Sequence, residues 1–343
     1  MSTASTPAAA PTVSAVVLAF NREQTLGLVL DRLEALPVDE VIVVDNGSAD
    51  GTAAVARSRG GRVRAIEAGR NLGIAGRNLG AREARGELLL MLDDDSHPLP
   101  GATETMVDAF RRRPDLGVAG GLLLDVDSRG QPVPLEQAGS FDWFLRGGSR
   151  GPAPPDGLPA FFFPEGACMI RRRAFVEAGG WFEPFFLGGV EVELAARLLA
   201  RGWDVRYLPD APFEHLRRPT AQPSFGPGLQ KRIRNQIWYF WLRFPLSLAL
   251  RRIPAYLAFD LVECLYRRAL GAWAGGIVDA WRQRELIRGE RAPLPRALAR
   301  RAEMNRGRLH LRLLALTARR LARRARGEAP ADTPATIPGR IVE

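Results

Sequence analysis

Between Val13 and Leu92 short, wholly apolar runs alternate with longer segments of helical periodicity, and few folds accept that rhythm. VSAVVLAF (Val13–Phe20) and VIVVDN (Val41–Asn46) are too apolar to keep one face in water, so both read as strands covered on two sides. Between them Glu23–Leu36 carries apolar residues at helical spacing until Pro37 and Asp39 break it. Ser48–Gly60 is a second helix, with Ser48 or Asp50 as N-cap and Gly60 as stop. Val63–Ala68 is a third strand, Ile74–Arg85 a helix, and Glu87–Leu92 a fourth strand running into Asp93-Asp94-Asp95. Such alternation requires right-handed crossovers, so the expected class is α/β, a mostly parallel sheet flanked by helices. Farther along, a helix is expected at Gly101–Arg112 and a strand at Val118–Val126. A Gly/Pro-rich mobile loop is expected at Gly147–Pro159 and a strand at Phe161–Arg171. A helix at Val190–Arg201, stopped by Gly202, then precedes a short strand at Val205–Leu208. Residues 1–12 and 328–343, rich in Ala, Pro and Thr, read as disordered tails. The start, MSTASTPAAAPTVS, has neither the basic opening nor the apolar stretch of a secretory signal.

In a parallel sheet of this kind ligands lie beyond the carboxyl ends of the strands, and two polar sets fall there. One is Asp45-Asn46-Gly47-Ser48 after the second strand, the other the aspartate triplet after the fourth. Adjacent carboxylates raise one another's pKa, and a divalent cation relieves that repulsion. Hard carboxylate oxygens suit Mg²⁺ or Mn²⁺, which are often held by one or two carboxylates plus substrate phosphates. Strand alternation would put Asp93 and Asp95 on one side and Asp94 on the other. The bland alternative is a helix-terminus cap. Gly69, Gly73, Gly76 and Gly80 match neither a dinucleotide fingerprint nor a phosphate loop. The two cysteines, Cys168 and Cys264, stand far apart, which excludes a CxxC zinc site and a disulfide framework.

Five segments together carry a resemblance: VVLAFNRE, VIVVDNGSADGT, RNLGIAGRNLGAREARGELLLMLDDD, GGWFEPFFLGGVEVELAARLLARGW and FEHLRRP. In this order and spacing they resemble family-2 glycosyltransferases of the GT-A fold, nearest a bacterial rhamnosyltransferase-like branch, across Val13–Pro219. The resemblance implies a catalytic domain over 13–219 that transfers a sugar, with inversion, from a nucleotide-diphosphate donor to an acceptor hydroxyl. It implies that Asp45 meets the base or ribose, that Asn71, Arg77 and Asn78 lie against the nucleotide with Arg77 suited to the diphosphate, and that Asp94 approaches the ribose. It makes Asp93 and Asp95 the DxD pair, with Asp95 the direct metal ligand and His215 completing the shell. The family shows two adjacent acids where this chain has Val190-Glu191, the second being the base, so Glu191 is the expected base. A base is chemically required, because the acceptor hydroxyl loses its proton as it attacks. Glu193 points elsewhere on the helix and is expected to be structural.

Net charge divides the chain. From Arg217 onward there are 26 basic and 9 acidic residues, net +17, which leaves −7 on residues 1–216 of an overall +10. Residues 220–327 mix aromatic and aliphatic stretches with arginine, and Arg243, Arg251, Arg252, Asp260, Glu263, Arg267 and Arg268 interrupt every candidate span. They are expected to form a basic helical extension lying in the interface of an anionic membrane, not across it. The expected setting is therefore cytoplasmic, peripheral to the inner face of the cell membrane, with a glycan or lipid-linked acceptor from cell-surface polysaccharide synthesis. Two other classes compete. A nucleic-acid-binding protein would explain the arginines but not the two acidic clusters, which repel phosphate, so no nucleic acid is expected. A catalytically silent relative would explain Val190.

Overall fold

The protein is described from a computed structural model covering residues 10–126, 153–216 and 225–303. The expected tails at 1–9 and 328–343, and most of the expected mobile loop, lie outside the described residues. Two compact units emerge, and they do not follow chain order. Of the described residues, one takes 10–122, 153–181 and 201–213; the other takes 123–126, 182–200, 214–216 and 225–303.

The first unit is built on the apolar runs. Strand β1 (Val13–Ala19) is buried at every position and pairs in parallel with β2 (Glu40–Asp45) and β4 (Leu88–Asp93). On the other side of β2 runs β3 (Val63–Glu67), also parallel. The connections are α1 (Glu23–Glu34), α2 (Thr52–Arg59), and a 3₁₀ turn (Gly73–Gly76) leading into α3 (Arg77–Glu83). Gly80 lets α3 lie close on the sheet, since a Cβ there would come 2.6 Å from Val16 Cγ1. Past β4 the chain adds β5 (Ser96–Pro98), α4 (Ala102–Arg112), β6 (Leu116–Val126), β7 (Leu158–Pro159), β8 (Ala167–Arg171), α5 (Arg172–Ala178) and, later, β9 (Asp204–Leu216). Strand order is β3-β2-β1-β4-β8-β6-β9-β5, with β7 also on β9. The sheet is parallel across its first four strands and mixed beyond, because β8 runs antiparallel to both β4 and β6.

Register positions the site. Ala19 faces Asp45 and Leu18 faces Asp93 across the ladders, so both acidic ends arrive at the same edge of the sheet.

Several boundaries differ from expectation for local reasons. The strand expected from Phe161 starts only at Ala167, because Pro164 has no N–H and the Ala167 N–H turns back to the Pro164 carbonyl. The helix expected from Ile74 opens as a 3₁₀ turn. Gly51 takes the N-cap position of α2, while Asp50 Oδ1 accepts the N–H of Thr52, the first helical residue, at 3.0 Å; Ser48 Oγ instead accepts from the Asn21 N–H. Thr12, expected in the tail, accepts the Leu88 and Glu87 N–H groups on its carbonyl and hydroxyl.

The second unit holds α6 (Val190–Ala200), α7 (Phe225–Arg243), α8 (Leu246–Tyr266), α9 (Leu270–Arg282) and a helical stretch over 296–303. Leu229, Ile233, Cys264 and Ala272 form its core, with Ile237, Leu257 and Trp273 packed on them. Gly276 allows α9 to approach α7, since a Cβ there would come 2.8 Å from the Gln230 carbonyl oxygen. Among the described residues no helix is long and apolar enough to cross a membrane.

Candidate active site

At the carboxyl edge of the first unit, three loops are stitched together by side-chain amides and carboxylates. Asp45 and Asn46 end β2 and are both buried. Asp45 Oδ1 accepts the Ser48 N–H at 3.3 Å. Asn46 Nδ2 donates to Asn71 Oδ1 at 3.1 Å and to the Gly73 carbonyl at 3.0 Å, while its Oδ1 accepts the Leu72 N–H at 3.0 Å. Asn71 Oδ1 also accepts the Gly73 N–H, so the 71–73 loop hangs on one buried asparagine. Gly47, at φ +80°, is required where it stands: a Cβ would come 2.7 Å from the Arg70 backbone.

The aspartate triplet is held more tightly. Asp93 receives an ion pair from Arg77 Nη2, which also donates to the Leu92 carbonyl at 3.0 Å. Arg77 is fully buried, and its Nε and Nη1 have no hydrogen-bond partner among the described residues. The guanidinium expected to face a diphosphate therefore lies beneath the acidic turn and acts on Asp93. Asn78 is similarly engaged. Its Nδ2 donates to the Trp181 carbonyl at 2.9 Å and its Oδ1 accepts the Trp181 N–H at 2.8 Å, which pins that backbone to α3. Ser96 Oγ accepts the Asp93 N–H and donates to the Gly166 carbonyl at 2.6 Å. A Cβ at Gly166 would fall on Asp93 Oδ2, so a larger residue there would displace the carboxylate from its present position.

Asp94 is buried and accepts from the Phe20 N–H at 2.9 Å and from Arg22 Nε at 3.2 Å. Burial and the neighbouring Asp95 push its pKa to about 7, against the pull of that N–H and of Arg22. Asp95 lies 3.9 Å from Arg22 Nη2. Sequence reasoning left Arg22, Asn46, Ser96 and Gly166 without roles. Arg22 follows the first strand at the ligand edge, which was the available signal; nothing local marks Gly166.

The second unit carries the remaining candidates. Val190 and Glu191 open α6 after Gly188 and Gly189, both at positive φ. Glu191 is half-buried. Glu193 is fully buried, and its carboxylate takes Arg197 and Arg243 together. His215 Nδ1 lies 2.6 Å from Asp125 Oδ1. Among the described residues no three His, Cys, Asp or Glu side chains are gathered so as to hold a metal ion. The donor set at Asp93–Asp95 still fits a divalent cation of the kind held by one or two carboxylates plus phosphates. It is all hard oxygen, and burial together with the neighbouring carboxylates has already raised the pKa of Asp94.

A sheet edge with two acidic strand ends in register is where a nucleotide-sugar enzyme would bind its donor, and residues 14–179 match the model of "Glycosyl transferase family 2". These residues form a family-2 glycosyltransferase domain. Among curated relatives, the chain is 26% identical over 267 residues to N-acetylglucosaminyl-diphospho-decaprenol L-rhamnosyltransferase of Mycobacterium tuberculosis, covering 67% of this chain and 85% of the relative. Over 111 residues it is 37% identical to dodecaprenyl-phosphate galacturonate synthase of Rhizobium johnstonii, 29% of this chain and 33% of the relative. Among solved structures it is similar to GalNAc-T7 with UDP, GalNAc and Mn²⁺ (TM-score 0.56, 15% identity), covering 74% of this chain and 51% of that one. The chain thus spans about half the length of GalNAc-T7. It is also similar to the mannosyltransferase PcManGT of Pyrobaculum calidifontis with GDP-Man and Mn²⁺ (TM-score 0.51, 18% identity), covering 92% and 88%. The glycosyltransferase fold is GT-A.

Proposed function

We propose that this family-2 glycosyltransferase moves a sugar, with inversion, from a nucleotide-diphosphate donor to a hydroxyl of a polyprenyl-linked acceptor at the inner face of the cell membrane. The observation that carries the donor half is the acidic turn at the sheet edge. Three aspartates stand together there over a buried arginine, beside the Asp45–Ser48 and Asn71–Gly73 loops. Asp45 and Asn71 receive the base and ribose, and Asp94 the ribose. Arg77 and Asn78 act from beneath, the first by aiming Asp93 and the second by fixing the Trp181 backbone. Asp93 and Asp95 would hold Mg²⁺ or Mn²⁺. When bound, that ion neutralises charge on the leaving diphosphate.

Glu191 is the general base. It takes the proton of the acceptor hydroxyl as that oxygen bonds the anomeric carbon, while the bond from that carbon to the diphosphate oxygen breaks on the opposite face. One displacement inverts the centre.

The lipid-linked acceptor is supported by what the relatives' names describe and by α8. Leu246, Leu250, Val262 and Leu265 are exposed along that helix, with Arg251, Arg267 and Arg268 also exposed. Apolar side chains flanked by arginine suit the interface of an anionic bilayer. The test is thermal stabilisation by UDP, GDP and dTDP, each with and without Mn²⁺. At least one should stabilise the wild type only with the ion, and Asp95→Ala should lose that response while keeping its own melting temperature. Equal stabilisation of wild type and Asp95→Ala, with or without EDTA, would remove the metal-dependent donor site.

A further inference from the structure

The turn that leads into Glu191 is strained, and α7 holds it. Phe186 sits at φ 60° and ψ −60°, with the Leu187 N–H donating to the Phe185 carbonyl at 2.6 Å. That is the three-residue γ-turn that L side chains rarely adopt. Gly188 and Gly189 follow at φ +83° and +76° before α6 begins. Backbone of this kind persists only where its surroundings over-determine it.

Asn235 supplies the constraint. It is 1% exposed, and its Nδ2 donates to the carbonyls of Phe185, Leu187 and Gly188 at 2.8, 2.9 and 2.7 Å. All three acceptors lie within four residues, and the last stands three positions before Glu191. Arg234 adds bonds from Nη2 to the Pro184 and Phe185 carbonyls at 2.9 and 3.1 Å. Its Nε and Nη2 also donate to Asn235 Oδ1 at 3.0 and 2.9 Å. With Oδ1 facing a guanidinium, the amide can turn only its NH₂ toward the turn.

We propose that Arg234 and Asn235 are positioning residues for the general base. They lock the γ-turn, and the locked turn sets the direction in which Glu191 leaves the first turn of α6. The inference rests on Glu191 as the base. It assigns α7 a part in the chemistry that its basic, amphipathic sequence does not suggest.

The test is Asn235→Asp in the full chain. This variant keeps the size and the oxygen toward Arg234 but deletes the donors to the turn. Sugar transfer from a nucleotide-L-rhamnose to polyprenyl-diphospho-N-acetylglucosamine should lose about 10²-fold in kcat, the scale of a misplaced catalytic group. The donor KM, and stabilisation by UDP, GDP or dTDP with Mn²⁺, should stay within about twofold, because the donor residues belong to the other unit. Amide exchange over 186–191 should accelerate about tenfold or more while α8 is unchanged. If Asn235→Asp does not fold, Arg234→Lys, which weakens the grip on Oδ1, should show the same pattern more mildly. Wild-type kcat and exchange in a folded variant, with Glu191→Gln inactive, would overturn the positioning role alone. An active Glu191→Gln would overturn the base assignment, and this inference with it.

Discussion

Replacing Glu193 by glutamine separates an acid that holds the fold from one that does chemistry two residues away. Glu193 has no exposed surface. Its oxygens accept from Arg197 Nε at 2.9 and 3.0 Å and Nη2 at 2.6 Å. They also accept from Arg243 Nε and Nη2, each at 2.8 Å. The two arginine side chains are 10% and 4% exposed, so little water screens either. Glutamine keeps the shape but turns an NH₂ toward one guanidinium, and the two cations then face each other with no anion between them. Breaking a buried ionic group by removing one partner costs about 3–5 kcal/mol. For a unit of this size that corresponds to a fall of roughly 6–20 °C in melting temperature. Circular dichroism melts and urea titration would measure it. Adding Arg243→Met should return part of the loss, since it removes one unpaired cation, and the double-mutant cycle should show clear coupling. Below its midpoint Glu193→Gln should keep kcat within a few-fold, whereas Glu191→Gln should lose about 10²–10⁴. A shift under about 2 °C would refute the buried-hub reading. A folded Glu193→Gln as inactive as Glu191→Gln would place the base at Glu193.

Gly166→Ala puts a methyl group on Asp93 Oδ2 and should weaken the Mn²⁺-dependent nucleotide response by displacing that carboxylate, with no ligand residue replaced; an unchanged titration would refute that packing. Asp94, with its pKa pushed to about 7, holds a proton in the folded state that the unfolded chain releases near 4. In the absence of divalent cation its contribution should be lost as the pH rises from about 4 to 7 and return toward acid, and Asp94→Asn should flatten that part of the profile. Parallel profiles for wild type and Asp94→Asn would refute it. Leu250→Glu with Val262→Glu should release the protein from anionic vesicles in flotation, and salt should weaken binding of the wild type. Binding unaffected by both changes would remove α8 as the contact face.

Much was legible because it is local. The apolar runs at Val13, Val41 and Glu87 announce strands buried on both faces, and a strand ending in aspartate announces its carboxyl end. Crossover handedness then brings Asp45 and Asp93 to one edge with no further information. The helix at Val190 was equally legible from its periodicity and the Gly202 that stops it. What stayed hidden depends on contacts between residues distant in sequence. Gly166 looks like any loop glycine until the fold sets it against Asp93, 73 positions earlier. Arg77 reads as a phosphate ligand by its charge. Burial decides otherwise, because a guanidinium with no exposed surface can act only on what lies beside it. Arg234, Asn235 and Arg243 read as the polar face of an amphipathic helix. Tertiary packing instead turns them inward, onto the 184–188 carbonyls and Glu193. The sequence by itself determined the α/β alternation, the acidic sheet edge and the helical basic extension, because periodicity and charge are properties of neighbours along the chain. Only the tertiary structure decided which polar groups face a substrate and which hold the frame, because that choice is made by burial, and burial is set by residues far apart.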